Sequence, residues 1–386
     1  MMMKQTDVVV VGGGLMGLSV AINAARNGLK VCLLEKYSIG SGQTSQSGGQ
    51  IIDGYELSFN ELVKKFGHDT ATCLYDFSRE SVDALYDELE NTDAISGHGN
   101  ILAIVDGENP SDMIPPNSGK YVIENDKIDD YIKSPIVHSA VFDWSAFHVH
   151  PHVMINILKE KAISLGVWIF EFTEVTKIIG KRVKTKKTGD FLGKHVVIAA
   201  GLGTDKLVLP KYMARVQPVK TLMGVVYFID PTNFADDYCV FDNREVPAYF
   251  RKQGRRLFFG CCDTQKTLDY SQRKNTIKKE YKKFFPYDHK ISVVGTYQAE
   301  FDATITRLPH IEYDDDVYIA YGLNGHGLAL AYGIGKEISD HISKGKSKYF
   351  AILVSNLYSP VFPKVPFLGR FIVTAIIKFK KLFNKI

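Results

Sequence analysis

The sequence predicts an α/β fold (α+β overall): a Rossmann-like nucleotide domain built from separated segments, with an antiparallel-sheet domain inserted between them. Three observations carry this. Between Val8 and Glu35 a buried strand, a glycine turn, a helix and a second strand follow in order. Two further apolar strands, Val196–Ala200 and Val317–Ala320, recur late in the chain and run into glycine-containing loops. Among these pieces lie stretches with the two-residue alternation of half-buried strands, at roughly 93–145 and 219–300.

The first unit sets the chemistry. Val8 to Val11 form the strand, and Gly12, Gly14 and Gly17 follow at G-x-G-x-x-G spacing around Leu15 and Met16. Gly12 permits the tight turn, Gly14 lets a pyrophosphate approach the backbone, and Gly17 lets the helix pack against the sheet. The helix N-terminus offers unpaired N–H groups and about half a positive charge to phosphate. The second strand, Val31–Leu34, ends on Glu35 and Lys36. A carboxylate about 20 residues beyond the glycines accepts from a ribose diol, which favours FAD or NAD over a 2′-phosphorylated cofactor.

The remaining elements follow in order. Ser38–Gly49 is a Gly/Ser/Gln-rich loop, and Glu56–Leu89 has helical spacing of Leu74, Phe77, Val82 and Leu85. Short strands and turns fill 93–140. His150-Pro151 opens a helix over Val153–Leu165 that Gly166 stops. Val167–Val175 reads as one strand and Lys177–Lys194 as a basic hairpin. Antiparallel strands run from Val219 to Gly260, a charged helix from Ser271 to Phe284, and a last helix from the Gly322–Gly327 loop to about Ser343. The expected division assigns 1–90, 146–218 and 302–345 to the nucleotide domain and 91–145 and 219–301 to a substrate domain. Residues 346–386 form a C-terminal region.

Composition excludes several classes. Hydrophobic residues at 45% and charged residues at 23% are those of an ordinary globular chain. No apolar run reaches the roughly 18 residues a membrane span needs, and Met1–Asp7 leads straight into the first strand. The five cysteines lack any C-x-x-C pair. They read as free thiols in a reducing compartment with no metal site, and a cytoplasmic protein is expected. Of the formal charge of +4, Lys364, Arg370, Lys378, Lys380, Lys381 and Lys385 supply an excess at the C-terminus. The rest is nearly neutral, which argues against nucleic acid as a partner. Ile372, Ile376, Phe379, Phe383 and Ile386 recur at helical spacing in that basic tail. Such a helix packs on the body or lies peripherally on an anionic membrane surface.

Five motifs in sequence order carry a family resemblance: Gly48-Gly49-Gln50-Ile51-Ile52, His150-Pro151, Tyr249-Phe250-Arg251 before a Gly-Arg-Arg-Leu-Phe-Phe-Gly strand, Thr306-Arg307-Leu308-Pro309, and Tyr321-Gly322-Leu323-Asn324-Gly325-His326-Gly327. With them the chain resembles the D-amino-acid-oxidase-like (DAO) superfamily of FAD-dependent oxidoreductases, nearest to the γ-glutamylputrescine oxidase type. The resemblance implies that Gly42, Gln43, Thr44, Ser45, Gly48, Gly49 and Gln50 present donors to the pyrophosphate and flavin. It implies that Val175 meets the adenine through its backbone and that Ala200-Gly201 passes under the cofactor. Gly325, His326 and Gly327 would aim backbone donors and a helix dipole at the flavin N1–C2=O edge. His326 would add charge there or bond a backbone carbonyl.

Three departures refine this. Some relatives attach FAD covalently through a histidine of the second loop or a late cysteine; here Ser47 stands at the first position, and Ala303–Pro309 holds no cysteine, so FAD is expected to be non-covalent. Gln46 and Ser47 also replace the Arg-Asn usual in the nearest subgroup. The arginine that clamps an α-carboxylate in amino-acid oxidases aligns with Phe301, which cannot pair a carboxylate. An amine whose carboxylate is remote or absent is therefore the expected substrate, with Tyr249 and Arg251 as pocket and clamp candidates. Arg307 is a second clamp or an ion-pair partner. The expected reaction is oxidation of a C–N bond with O₂ or another electron acceptor. The alternatives are a membrane-surface dehydrogenase passing electrons to a quinone or carrier, and a non-catalytic flavoprotein.

Overall fold

A computed structural model describes residues 4–207, 216–227, 238–244, 246–264, 266–288, 290–304 and 306–354, without the side chains of 205, 206, 217 and 262–264. The basic helix expected near the C-terminus, Pro360–Pro366 and the Cys262 side chain lie outside these residues.

Among the described residues two sheets organise the chain. The first carries β1 (Lys4–Val11), β2 (Val31–Leu34), β7 (Trp168–Phe170), β8 (Val175–Ile179), β9 (Arg182–Thr185), β10 (Asp190–Ile198), β16 (His310–Asp314) and β17 (Val317–Tyr321). Its order is β16-β17-β10-β1-β2-β7, with β8 and β9 reaching it as a hairpin extension of β10. β1 pairs in parallel with both β10 and β2, and β10 with β17. Such a sheet is buried on both faces, which is why its strands read as unbroken apolar runs: Val8, Val9 and Val10 are wholly buried. α1 (Leu15–Arg26), α4 (Pro151–Ser164) and α6 (Gly327–Lys344) supply much of that cover.

The second sheet carries β3 (Gln50–Ile51), β4 (Ile95–Ile104), β5 (Tyr121–Ile123), β6 (Ser139–Val149), β11 (Val216–Tyr227), β12 (Cys239–Asp242), β13 (Tyr249–Gln253), β14 (Arg256–Thr264) and β15 (Ser292–Thr304). Its order is β15-β11-β14-β13-β12-β4-β6-β3. The pairing is antiparallel except between β12 and β4. α5 (Tyr270–Phe284) buries Ile277, Tyr281 and Phe284 on one face of this sheet beside Leu222, Phe250 and Phe259. The opposite face, which carries Thr221 and Tyr249, is turned toward the first sheet.

Four details differ from the sequence reading. The helix expected over 56–89 is two helices, α2 (Phe59–Phe66) and α3 (His68–Leu89), because Gly67 turns left-handed at φ 83°. The strand expected over 167–175 is broken into β7 and β8 where Phe172 takes φ 53°. β10 is one long strand rather than a hairpin arm followed by a separate strand, since its early half bonds β9 while its whole length follows β1. β6 continues to Val149, past the boundary expected at 145, because β3 pairs with its last residues and holds them in the second sheet.

Glu88 on α3 ties the helical layer together. It accepts from Arg26 of α1, Lys161 of α4 and the Tyr332 hydroxyl of α6. Burial pushes its pKa up, but these three donors outweigh burial and hold it at about 2. Glu88→Gln leaves two cations without a countercharge and is expected to cost about 2–4 kcal/mol at neutral pH, read from urea unfolding. A depressed carboxylate stabilises fully above its ordinary value of 4.5 and loses that contribution as pH falls toward about 2. The gap between wild type and variant must therefore close over that window.

Candidate active site

A cavity of about 1410 Å³ runs between the two sheets. At one end Glu35, Lys36, Thr173 and Val175 line it; in the middle Gly12, Gly14, Thr44 and Gly201; at the other end Tyr249, Phe301, Asp302 and His326.

The glycine turn is built as the spacing implied. Gly12 has φ 108°, and a Cβ there would overlap the Ala199 carbonyl at the end of β10. A Cβ on Gly17 would overlap the Gly12 carbonyl, so α1 could not sit against the strand. Gly14 is different. Its backbone is extended (φ −73°, ψ −176°), and a Cβ would meet only the Thr44 hydroxyl at 3.3 Å. Its missing side chain clears the cavity and is not required by the fold. Gly13, which the sequence reading passed over, donates to Glu35 Oε2 at 2.7 Å, and Tyr37 N–H donates to Oε1 at 2.8 Å. Two of the roughly four acceptor sites of that carboxylate are therefore used. Lys36 is paired with Glu174 at 2.9 Å on the rim.

Two helices aim their N-termini into the cavity. α1 begins after Gly14 and α6 after His326; neither cap residue supplies a side-chain hydrogen bond, and neither first turn carries an acid. The contrast lies within the same molecule: α2 and α5 both start with complete capping boxes, on Ser58 and Asp269. In α1 the Leu15 N–H is taken by the Thr44 hydroxyl at 3.1 Å; the other first-turn donors and the positive dipole ends are left for a ligand. The cavity therefore has two anion-favouring points, one beside the Gly12–Gly14 turn and one beside His326.

The loop before α6 is held in an unusual shape. Gly322, Asn324 and Gly325 all lie at positive φ (80°, 50° and 85°). Asn324 is locked by three contacts: its N–H donates to the Asp302 carbonyl at 3.1 Å, its side-chain oxygen accepts from Thr304 N–H at 2.7 Å, and its amide donates to the Gly322 carbonyl. The Asp302 carboxylate accepts from the N–H groups of Gly322 and Leu323 and from the Gln43 side chain. Burial still raises its pKa above the ordinary carboxylate value. Asp302 thus connects the second loop with the α6 loop.

His326 lines the cavity, but its Nδ1 is covered and has no hydrogen-bond partner. Burial first, then the nearby charges of Lys120 and Arg307, pull its pKa down to about 4. The imidazole is neutral at pH 7. The N-terminus of α6, which starts directly after it, brings a positive dipole end to the same place.

Tyr249 sits in a slot made by two absent side chains. A Cβ on Gly260 would overlap its ring, and one on Gly48 would approach it to 3.1 Å. Its hydroxyl lies 3.2 Å from the Thr221 hydroxyl. Phe241, Phe301, Val219 and Ala299 complete this end as an apolar wall.

Arg251 does not reach the cavity. It lies on the same strand face as Tyr249, but the second loop intervenes: its Nε donates to the Gly48 carbonyl at 2.8 Å and its guanidinium stacks on Phe258 at 4.2 Å. Arg251 is buried, and that burial pulls its pKa down to about 10. In this arrangement it holds the second loop. Arg307 pairs with Glu56 and Glu61 at 3.0 and 3.3 Å, which makes it an ion-pair residue. Gly17 and Ser45 also stand off the lining, Gly17 as packing and Ser45 bonding the Gly42 carbonyl at 3.2 Å. Leu15, Met16, Gly42, Gln43, Gly49, Gln50, Ala200, Gly325 and Gly327 are all on the lining. Thr221, Phe241 and Asp302 were missed. Asp302 adjoins Phe301 in a stretch already singled out, whereas Thr221 and Phe241 reach the site only through sheet pairing.

The lining suits an adenine dinucleotide bearing a flavin. A carboxylate with spare acceptor sites stands at one end, Cβ-free backbone and an uncapped helix at the middle, and a second uncapped helix at the far end. Among the described residues the lining contains no cysteine, and His326 is its sole histidine. Four free cysteines lie elsewhere, and no group of three metal-ligating side chains is found among the described residues. No described helix is long and apolar enough to cross a membrane.

Comparison with known proteins agrees with this geometry. The family model described as DAO, FAD dependent oxidoreductase, matches residues 7–341. The chain is 27% identical over 369 residues to the probable oxidoreductase OrdL of Haemophilus influenzae, covering 88% of this chain and 83% of that one. It is 25% identical over 386 residues to the gamma-glutamylputrescine oxidoreductase of Escherichia coli, covering 94% and 90%. In fold it is similar to L-proline dehydrogenase from P. horikoshii, with TM-score 0.74, 21% identity, and 90% and 96% of the two chains covered.

Proposed function

The chain belongs to the DAO family of FAD-dependent oxidoreductases, and we propose that it oxidises the C–N bond of an amine whose carboxylate is remote or absent. The single observation that carries this reading is the apolar wall of Phe241, Phe301, Val219 and Ala299, where Phe301 stands in the cavity and its ring cannot pair an α-carboxylate. The similarity to a gamma-glutamylputrescine oxidoreductase supports the same class.

When bound, FAD supplies a two-electron acceptor for the hydride of the carbon bearing nitrogen. The residues of this chain do the rest. Gly12, Gly14 and Thr44, with the α1 N-terminus, would hold the pyrophosphate; Glu35 would hold the ribose; Val175 would flank the adenine. The α6 N-terminus would face the flavin and favour negative charge there. Phe241, Phe301, Val219 and Ala299 exclude water. Desolvation disfavours the ammonium, so the amine enters or becomes neutral with a lone pair available. The Tyr249 and Thr221 hydroxyls orient the nitrogen. No acid–base dyad is needed beyond this desolvation, and the neutral imidazole of His326 adds none.

With O₂ as acceptor, the overall change for a primary amine is R–CH₂–NH₂ + O₂ + H₂O → R–CHO + NH₃ + H₂O₂, the imine being hydrolysed by water. Anaerobic mixing of the FAD-loaded protein with a panel of primary and secondary amines tests this. Bleaching of the flavin band by at least one amine, followed by H₂O₂ release on admitting air, is the expected result. A flavin that dithionite reduces and no amine or amino acid does would overturn it.

A further inference from the structure

Arg251 is a buried cation without a countercharge. Its residue is 3% exposed, and its covered Nη1 has no hydrogen-bond partner. Its contacts are the Gly48 carbonyl and the ring of Phe258. Among the described residues the ionisable groups beside it are the Cys239 thiol, the Tyr297 phenol and the His150 imidazole. Burial raises the first two and lowers the third, so all three are neutral at pH 7. The guanidinium itself stays charged. Lys120 and Arg244, both less deeply buried, each stand against two carboxylates. A lone buried charge is costly, and the nearest wall it faces is that of the reaction cavity.

That wall is the Gly48–Gly49 peptide, next to the Tyr249 ring. Arg251 Nε fixes the Gly48 carbonyl at 2.8 Å, and the Gly49 carbonyl accepts from Val149 N–H at 2.8 Å. The flanking residues are held too. The Gln50 amide donates to the Val240 and Phe250 carbonyls at 3.0 and 3.1 Å, and the Tyr297 hydroxyl to the Gln46 carbonyl at 3.2 Å. The peptide is trans, so its C=O and N–H point in opposite directions. With the Gly48 carbonyl turned to Arg251, the Gly49 N–H points the other way, into the cavity that both glycines line. It donates to no acceptor among the described residues. The result is a fixed, free backbone donor with a positive charge behind it.

We propose that Arg251 is a positioning residue that tunes the flavin: through the Gly48–Gly49 peptide it presents a polarised N–H, and a net positive field, to the ring when that ring becomes negative. A hydride brings the flavin two electrons and one proton, so the ring gains one negative charge while the substrate is oxidised. A donor whose own carbonyl is bonded to a cation is strengthened, most of all where water is excluded. A carboxylate beside Arg251 would cancel that field; its absence leaves the charge available to the reduced cofactor. Arg251 then raises the reduction potential without touching flavin or substrate. The device needs FAD in the cavity and is independent of which amine is oxidised.

The test is the reduction potential of the FAD-loaded protein, read against a reference dye with no amine present, in wild type, Arg251→Gln, Arg251→Lys and Arg251→Met. Glutamine places an amide nitrogen the same number of bonds from the backbone as Nε, so it keeps the bond to Gly48 and removes the charge. Its potential should fall by about 30 mV, which is about 10-fold in the two-electron equilibrium. FAD uptake and the urea midpoint of that apoprotein should stay near wild type. Lysine keeps the charge and should hold the potential closer to wild type than glutamine does. Methionine removes both charge and donor; it should lower the potential at least as far as glutamine and weaken FAD uptake as well. A purely structural hydrogen bond would survive in Arg251→Gln with the potential unmoved. An Arg251→Gln potential equal to wild type, or an Arg251→Lys potential as low as that of Arg251→Gln, overturns the proposal. Should Arg251→Met fail to fold, the glutamine and lysine variants decide alone. Failure of every amine to bleach the flavin would sink the amine reading and leave this measurement intact.

Discussion

Gly14→Val yields a folded protein that holds FAD far more weakly than wild type. Gly14 has a backbone conformation that any residue adopts, and its Cβ direction meets a single hydroxyl at 3.3 Å. The fold resists a side chain there only through that one contact, which a shift of the Thr44 hydroxyl relieves. The valine methyls instead enter the cavity beside the N-terminus of α1, where the pyrophosphate must approach the backbone. Overlap of this kind costs about 2–3 kcal/mol, or roughly 100-fold in Kd. Far-UV circular dichroism and the urea midpoint of the apoprotein should match wild type, while fluorescence titration shows weakened FAD uptake. Wild-type affinity in this variant would remove the glycine turn from the cofactor site. Gly17→Ala is not an equivalent test, because its Cβ overlaps the Gly12 carbonyl and disturbs the fold itself.

Asp302→Ala loosens the far end of the same cavity. The variant leaves the N–H groups of Gly322 and Leu323 and the Gln43 amide without their acceptor. Each unpaired buried donor costs about 1–3 kcal/mol, so destabilisation of about 3 kcal/mol or more is expected, seen as a fall in melting temperature. FAD affinity should drop as well, because the three left-handed residues before α6 lose their tether to the second loop. Asp302→Asn, which keeps one oxygen acceptor, should recover part of both. A melting temperature and FAD affinity unchanged in Asp302→Ala would show that Asn324 alone shapes the loop.

The parts of this molecule that were legible in the sequence are those whose causes are local. Gly12, Gly14, Gly17 and Glu35 act within one βαβ unit, so spacing alone placed them, and the strand at Val196 announced itself because both its faces are buried. Other features depended on backbone conformation that residue identity does not signal. Phe172 at positive φ ends a strand whose alternation otherwise continues, and Gly67 divides a helix whose apolar spacing is unbroken. Arg251 shows a third limit. Its strand parity correctly put it on the face of Tyr249, yet only the folded chain shows that Gly48 and Gly49 lie between it and the cavity. Thr221 became visible as a site residue only when β11 and β13 came to face Tyr249 toward it, a long-range consequence with no local mark.

The order of strands in the first sheet also governs how the protein can be made. β1 lies between β2, its near neighbour in sequence, and β10, which is followed outward by β17. A nascent chain emerging from the ribosome exposes Val8–Val11 long before either of the later strands exists to cover them. Parallel pairing across such distances closes slowly and is vulnerable to aggregation. No N-terminal fragment ending before Tyr321 contains the finished sheet, and the coenzyme cannot template the early turn before the late loop arrives. Biosynthesis of this flavoprotein therefore ends with the assembly of its cofactor site, which cannot serve as an early folding nucleus.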